Sequence, residues 1–380
     1  MDTYLGSPVR RHLLRAAPGS LLWALAGGLA APRVAMAQPV ERGAIPEVDR
    51  VSVRVVTDSY HHAFEPSRTQ GDLRIDRLGS TLGRNTPPRT LQNEWGLSLH
   101  LESARGAEVR NVLIDFGFTP QTLLSNLEIA GVDPSRLDAL VLSHGHYDHF
   151  GGLVGFLTAH KARLKSGLPF FLGGEECFCT REAGIGAGVG DFGALDRKAI
   201  DDAGLKVVIA ERPALIGGHA FTTGSGIPRS SFERVLSPTR MAVGVRDGVG
   251  CFPDRLPADK RAATTLVPDD FEHEQATAFN LRGKGLVVLT SCGHRGVVNS
   301  VRAAQRASGV DKVHAVLGGF HLAPHPVDYL RQTAAALREI NPDWLIPMHC
   351  SGEPFIAVAQ QEMGERVVRS STGTRFTFGA

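Results

Sequence analysis

Apolar positions fall into short runs along the chain, and the period of those runs changes as it proceeds. Residues 51–57 alternate and are rich in β-branched side chains, the pattern of a half-buried strand. Two further strands are predicted at 96–101 and 111–116, joined by a turn around Gly106. Thr119-Pro120 then opens a helix, with Leu123, Leu124, Leu127 and Ala130 on one face at helical spacing. A short buried strand at 138–143 runs into a cluster of histidines, and helical spacing resumes at Gly152.

Residues 165–265 are the least regular part, rich in Gly, Pro and short strands. They read as insertions and loops around a mouth, where specificity usually resides. Regularity returns with a hairpin, 276–281 and 285–290, turning on Arg282-Gly-Lys-Gly285. After it come a helix (297–308), a strand (312–317), a helix (327–340), a strand (344–347) and a last helix. No internal repeat and no low-complexity stretch interrupts this order. Strands paired as hairpins and then alternating with helices predict an α/β (α+β) fold, sheets flanked by helices.

The 380 residues are 42% hydrophobic and 21% charged, which excludes a disordered, collagenous or multi-span membrane chain. Forty-one basic against 39 acidic side chains give a net charge of +2, too balanced for a nucleic-acid footprint. All of that excess sits at the start, where Arg10, Arg11, Arg15 and Arg33 face a single Asp2, so that +3 there against a total of +2 leaves −1 for the rest. Residues 1–37 have the three parts of an export signal: a basic start, an apolar stretch over 21–31 and Ala35-Met-Ala37 before Gln38. The apolar stretch is too short for a stable anchor, which needs about 20 residues. The arginine pair followed by x-Leu-Leu is similar to the twin-arginine signal, which carries folded proteins through the export machinery to the periplasm. What remains, 38–380, is expected to be a single domain with loop insertions at about 165–265, without stable membrane insertion.

The five cysteines, 177, 179, 251, 292 and 350, form no even disulfide framework, and Cys177 and Cys179 read as two half-buried small residues. Cys292 and Cys350 stand apart, because each lies within two residues of a histidine.

The central feature is Ser143-His144-Gly-His146-Tyr-Asp148-His149. Four ligand-type side chains within six residues follow a strand directly, and a loop there can turn all of them inward. Imidazoles and a carboxylate suit zinc, iron or manganese. They form two adjacent pairs, His/His and Asp/His, and that spacing points to two ions.

This H-x-H-x-D-H run resembles the signature of the metallo-β-lactamase fold superfamily. Asn93-Glu-Trp-Gly-Leu-Ser98, Leu113-Ile-Asp-Phe-Gly117, the run 285–299 with Ser291-Cys-Gly-His294, Gly318-Gly-Phe-His321 and Met348-His-Cys-Ser-Gly352 follow in order. Together they resemble the subgroup related to the dihydropterin/β-ribofuranosylaminobenzene 5′-phosphate synthases. The resemblance implies an αβ/βα sandwich, two mixed sheets with helices on the outer faces and a metal site at one edge. It implies that His144 and His146 hold one ion with His294, and that Asp148 and His149 hold a second with His349. Where the superfamily usually has a bridging aspartate, this chain has Cys292. An alternative assignment therefore stands beside His294, namely His273 together with Cys292. Asp115 is expected to orient a metal histidine, and Glu94 to line the mouth. His321 is expected to bind a substrate anion or steady an oxyanion.

The implied chemistry is hydrolysis of a small-molecule ester, phosphoester or lactone by a metal-bound hydroxide, with Asp148 orienting it and taking its proton. The alternatives are a phosphoribosyl-type synthase or transferase of pterin metabolism and an iron redox enzyme of the same fold.

Overall fold

The computed structural model describes residues 34–379 except 63, 80–87, 186–187, 230–231, 237–238 and 262–265. The expected export signal therefore lies outside the described residues up to Arg33. Its last part is inside them, and Val34–Met36 pairs in parallel with Lys206–Ile209.

Two mixed sheets pack face to face. The first has ten strands; from one edge they run Val34–Met36, Lys206–Ile209, Pro169–Leu172, Ala139–Val141 and Glu108–Ile114, all parallel to their neighbours. It continues antiparallel through Ser98–Arg105, Arg50–Thr57 and Arg375–Phe378 to a short hairpin at 68–76. In the second sheet the order is Ala214–Ile216, Ala220–Thr222, Thr277–Leu281, Gly285–Thr290, Val313–Gly319 and Trp344–Met348, the last three parallel.

Alternation along these strands builds three apolar layers. Val51, Val53, Val55, Leu99 and Ile114 meet Phe279, Val287, Leu289, Leu317 and Ile346 between the sheets. Leu113, Leu140 and Phe170 face the other way, onto Leu123, Leu127 and Phe156 of the helices Pro120–Ile129 and Leu153–His160. Val288, Val316 and Leu345 face the helices Val327–Ile340, Val297–Ser308 and Glu353–Met363. Strands buried on both faces read as continuous apolar runs, and that is why 286–289 and 315–317 are uniformly hydrophobic. The arrangement is the expected αβ/βα sandwich.

Two expectations need correcting. The segment 165–265 is not all insertion: Pro169–Leu172, Lys206–Ile209, Ala214–Ile216 and Ala220–Thr222 are strands of the two main sheets. Gly and Pro between these very short strands hide their pattern. Only the four-stranded sheet built from Thr180–Ile185, Gly188–Asp191, Thr239–Ala242 and Leu266–Pro268, with a small hairpin at 245–250, stands apart. Secondly, the cysteines do form a disulfide, Cys179–Cys251, which ties the end of a buried 3₁₀ turn to that hairpin. Their sequence separation of 72 gave no spacing signal.

Candidate metal centre

The ligand-type side chains gather where the parallel strands of both sheets end. The strand Ala139–Val141 leads into the histidine loop. Gly285–Thr290 leads into Cys292 and His294, Val313–Gly319 into His321, and Trp344–Met348 into His349. Six described non-glycine residues adopt positive φ, and Asp115, Phe271, His321 and His349 among them border this place. Such conformations cost of order 1–3 kcal/mol each and persist only where the surroundings impose them.

Asp115 fixes the histidine loop from below. Its carboxylate accepts the Ser143 backbone N–H and hydroxyl, each at 2.8 Å, and the Nδ1 of His149 at 2.7 Å. A proton held on Nδ1 leaves the His149 Nε2 lone pair free, and it faces Cys292 Sγ at 3.2 Å. Gly145 has a different task. A Cβ there would stand 2.5 Å from Nη1 of Arg181, so the loop can lie on that guanidinium only as glycine. Arg181 is fully buried and bonds Asp269 at 2.6 Å, the carbonyls of Cys179 and Glu176, and Nε2 of His273 at 3.1 Å. Sequence reasoning missed Arg181 and Asp269, since no periodicity marks a buried ion pair; the glycine between two histidines was the available clue.

Two groups of potential ligands close around one residue. His144, His294 and Cys292 form one, and His149, His349 and Cys292 the other, with ligand atoms in each group within 4.8 Å of one another. Asp148 stands beside the second, its Oδ2 3.4 Å from His349 Nε2 and 3.7 Å from His149 Nε2. The donor set fits a metal on its own terms. Nε2 of His144, both ring nitrogens of His294 and Oδ1 of Asp148 are buried without a hydrogen-bond partner. Unsatisfied buried groups are costly, and convergent ones are the signature of a cation site.

Electrostatics agree. Burial, reinforced by the neighbouring histidines, drives His144 and His294 well below the usual imidazole range. Burial also takes His146 down to about 3. These rings are therefore neutral, the form that binds metal. Burial pushes the Asp148 carboxyl up, but His149, His349 and His146 outweigh it and hold it well below the usual range. His349 goes the other way: burial lowers it, yet Cys350, Asp148 and Asp58 raise it to about 9. In the metal-free protein its proton supplies the positive charge that these acids call for.

The remaining expected site residues divide. His146 lies in the ring cluster, 4.8 Å from His144 and 4.9 Å from His294 between centroids, while its Nε2 bonds Thr239 Oγ1 at 3.0 Å. His321 is half-buried, 4.0 Å from the His294 ring, with Nδ1 unpartnered. His294 and Cys292 are not alternatives, because the fold brings both in. His273 is held elsewhere: its Nε2 accepts the Gly145 N–H at 3.1 Å as well as the Arg181 bond, and its Nδ1 faces Glu176. Glu94 also departs from expectation. Its two oxygens accept the Phe118 and Thr119 N–H groups at 2.8 Å and the Thr119 hydroxyl at 2.7 Å. It braces the turn that caps the helix Pro120–Ile129 and does not line the cavity.

Above the ligands opens a cavity of about 820 Å³. Trp95, Phe118, Tyr147 and Phe192 form its walls, and no Lys or Arg is among its described lining residues. Trp95 is 55% exposed and leans on His349, ring centroids 4.8 Å apart.

Residues 107–169 match the family model described as the metallo-beta-lactamase superfamily. The chain is 25% identical over 299 residues to the 7,8-dihydropterin-6-methyl-4-(beta-D-ribofuranosyl)-aminobenzene-5′-phosphate synthase of Methanocaldococcus jannaschii, covering 78% of this chain and 93% of that protein. An uncharacterized protein of the same organism is 26% identical over 243 residues, covering 64% of this chain and 80% of its own. Among solved structures, Tm1679, a metal-dependent hydrolase of the beta-lactamase superfamily, superposes with a TM-score of 0.61 at 21% identity, over 86% of this chain and 98% of that one. That likeness shows the fold.

Proposed function

We propose that this chain, which belongs to the metallo-β-lactamase fold superfamily, is a metal-dependent hydrolase of a small uncharged ester or lactone, acting in the periplasm. The carrying observation is the position of the ligand cluster as the floor of an aromatic cavity. When bound, zinc-class ions at His144, His294, Cys292, His149, His349 and Asp148 supply Lewis acidity and lower the pKa of water to about 7.

The protein's own groups do the rest. Asp148, ionised and 3.4 Å from His349, is placed to orient the attacking water by accepting its hydrogen bond. His321 borders the cavity with a free Nδ1, placed to steady charge on the departing or carbonyl oxygen. Trp95, Phe118, Tyr147 and Phe192 take the apolar part of the substrate and exclude water around it. Specificity follows from the walls: four aromatic side chains suit an apolar acyl or lactone chain, and among the described lining residues no Lys or Arg is placed to pair a phosphate. The Cys179–Cys251 disulfide supports the compartment, since such bonds persist in oxidising surroundings.

The test compares a 4-nitrophenyl acyl ester, an alkyl lactone and 4-nitrophenyl phosphate on zinc-loaded protein and on an Asp148→Asn variant. The neutral substrates are expected to turn over and the variant to lose about 100-fold, the scale of a misplaced reacting group. Turnover of the phosphate alone would refute the substrate reading.

A further inference from the structure

We infer that Cys292 is a bridging thiolate, one sulfur shared between two metal ions. This rests on the metal-binding part of the proposal above and not on its substrate. The two ligand groups, His144 with His294 and His149 with His349, have one member in common, and it is Cys292. The residue is buried, at the turn that follows the strand Gly285–Thr290, between the histidine loop of one sheet and His349 of the other.

The donor atoms lie within reach of one ion, and the thiol hydrogen between Cys292 and His149 is the one that metal binding would displace. Bonds of about 2.0 Å to imidazole and 2.3 Å to sulfur, at a tetrahedral angle, keep the two donor atoms about 3.5 Å apart. Cys292 Sγ and His149 Nε2 are 3.2 Å apart. The His149 proton is already committed to Asp115, so Nε2 has a lone pair to offer and no hydrogen. A sulfur bonded to both ions keeps them at most about 4.6 Å apart, close to the roughly 3.5–4 Å of two-metal hydrolytic sites.

Cys350 is the competing sulfur, and its contacts set it back. Its Sγ accepts the His321 N–H at 3.2 Å and lies 3.5 Å from the Cys292 carbonyl and 3.4 Å from Cys292 Sγ. Among the described residues, the potential ligands it groups with are Cys292 and His321. It sits over Gly319, where a Cβ would come within 2.8 Å of the sulfur. Cys350 is thus a hydrogen-bond donor to the bridging sulfur, a positioning residue.

A bridging carboxylate and a thiolate carry the same charge, so the exchange alters softness and not charge balance. Sulfur favours zinc, cobalt(II) and iron over manganese and magnesium. A centre joined through Cys292 should hold a pair of the first kind and fail to hold a pair of manganese ions.

Metal-free full-length protein titrated with cobalt(II) tests this by absorption, with no turnover involved. The expected result is a near-ultraviolet thiolate-to-cobalt band that grows through two equivalents in the wild type and in Cys350→Ser. In Cys292→Ser the band should vanish and tight binding fall from two equivalents towards one. Cys292→Asp should recover the second equivalent without the band, which also shows that position 292 tolerates replacement. Two bound cobalt ions without a thiolate band in the wild type would overturn the inference. So would a band that survives in Cys292→Ser and disappears in Cys350→Ser. A protein with the band that cleaves neither ester nor lactone refutes the substrate reading alone.

Discussion

Asp115→Asn isolates how the fold prepares a histidine for metal. The carboxylate receives three donors, the Ser143 N–H at one oxygen and the Ser143 hydroxyl with His149 Nδ1 at the other. An amide has one acceptor oxygen, so whichever way it turns, its NH₂ must face one of these groups. Facing the Ser143 N–H, it abandons a buried backbone donor at a cost of about 1–3 kcal/mol. Facing His149, it drives the ring to carry its proton on Nε2, the nitrogen that should bind metal. Either way zinc affinity is expected to fall 10–100-fold, the usual range for a partner behind a metal histidine, or about 1.4–2.7 kcal/mol. The assay is competition for zinc against a chromophoric chelator at pH 7, beside a melting curve of the metal-free protein. Wild-type zinc affinity in a folded Asp115→Asn protein would refute the reasoning.

Three further outcomes follow from other parts of the molecule. Gly145→Ala pushes a Cβ to 2.5 Å from a guanidinium that cannot retreat, and should cost roughly 1–3 kcal/mol, read as a lower melting temperature. Replacing Cys179 or Cys251 by serine releases a 72-residue loop, worth about 4 kcal/mol in the chain-entropy account, and reductant should lower the wild-type melting temperature but not the variant's. Burial, helped by Arg375 and Arg54 and opposed by Glu102, takes His100 from 6.5 to about 4. The folded state keeps this ring neutral while the unfolded chain protonates it, so its contribution is complete above about pH 6.5 and is lost as pH falls towards 4. His100→Asn should flatten that limb of the melting-temperature profile; parallel profiles would refute the assignment.

Much of this was legible in the chain because the strongest signals are local. The helices Val297–Ser308 and Val327–Ile340 and the hairpin at 277–290 stand where their periodicity places them. The histidine loop was readable because four ligand types crowd six positions after a strand. Non-local relations were not readable. The last strand, Arg375–Phe378, inserts between Arg50–Thr57 and Leu73–Asp76, a register no window near residue 375 contains. Likewise the choice between His294 and His273 with Cys292 was undetermined, because His273 is withdrawn by Arg181, a residue 92 positions away. Glu94 looked like a mouth residue because the sequence does not show that the turn at 117–119 consumes both its oxygens.

The metal groups draw on both sheets, and this gives the centre a place in time. His144 and His149 are made early in synthesis, but Cys292, His294 and His349 arrive only after most of the chain has been translated. An ion can therefore be captured fully only once the second sheet has docked on the first. Binding to that state alone pulls the folding equilibrium towards it by RT ln(1 + [M]/Kd). Metal bound there would act as a latch across the seam of the sandwich, so that its loss would loosen two halves and not one loop.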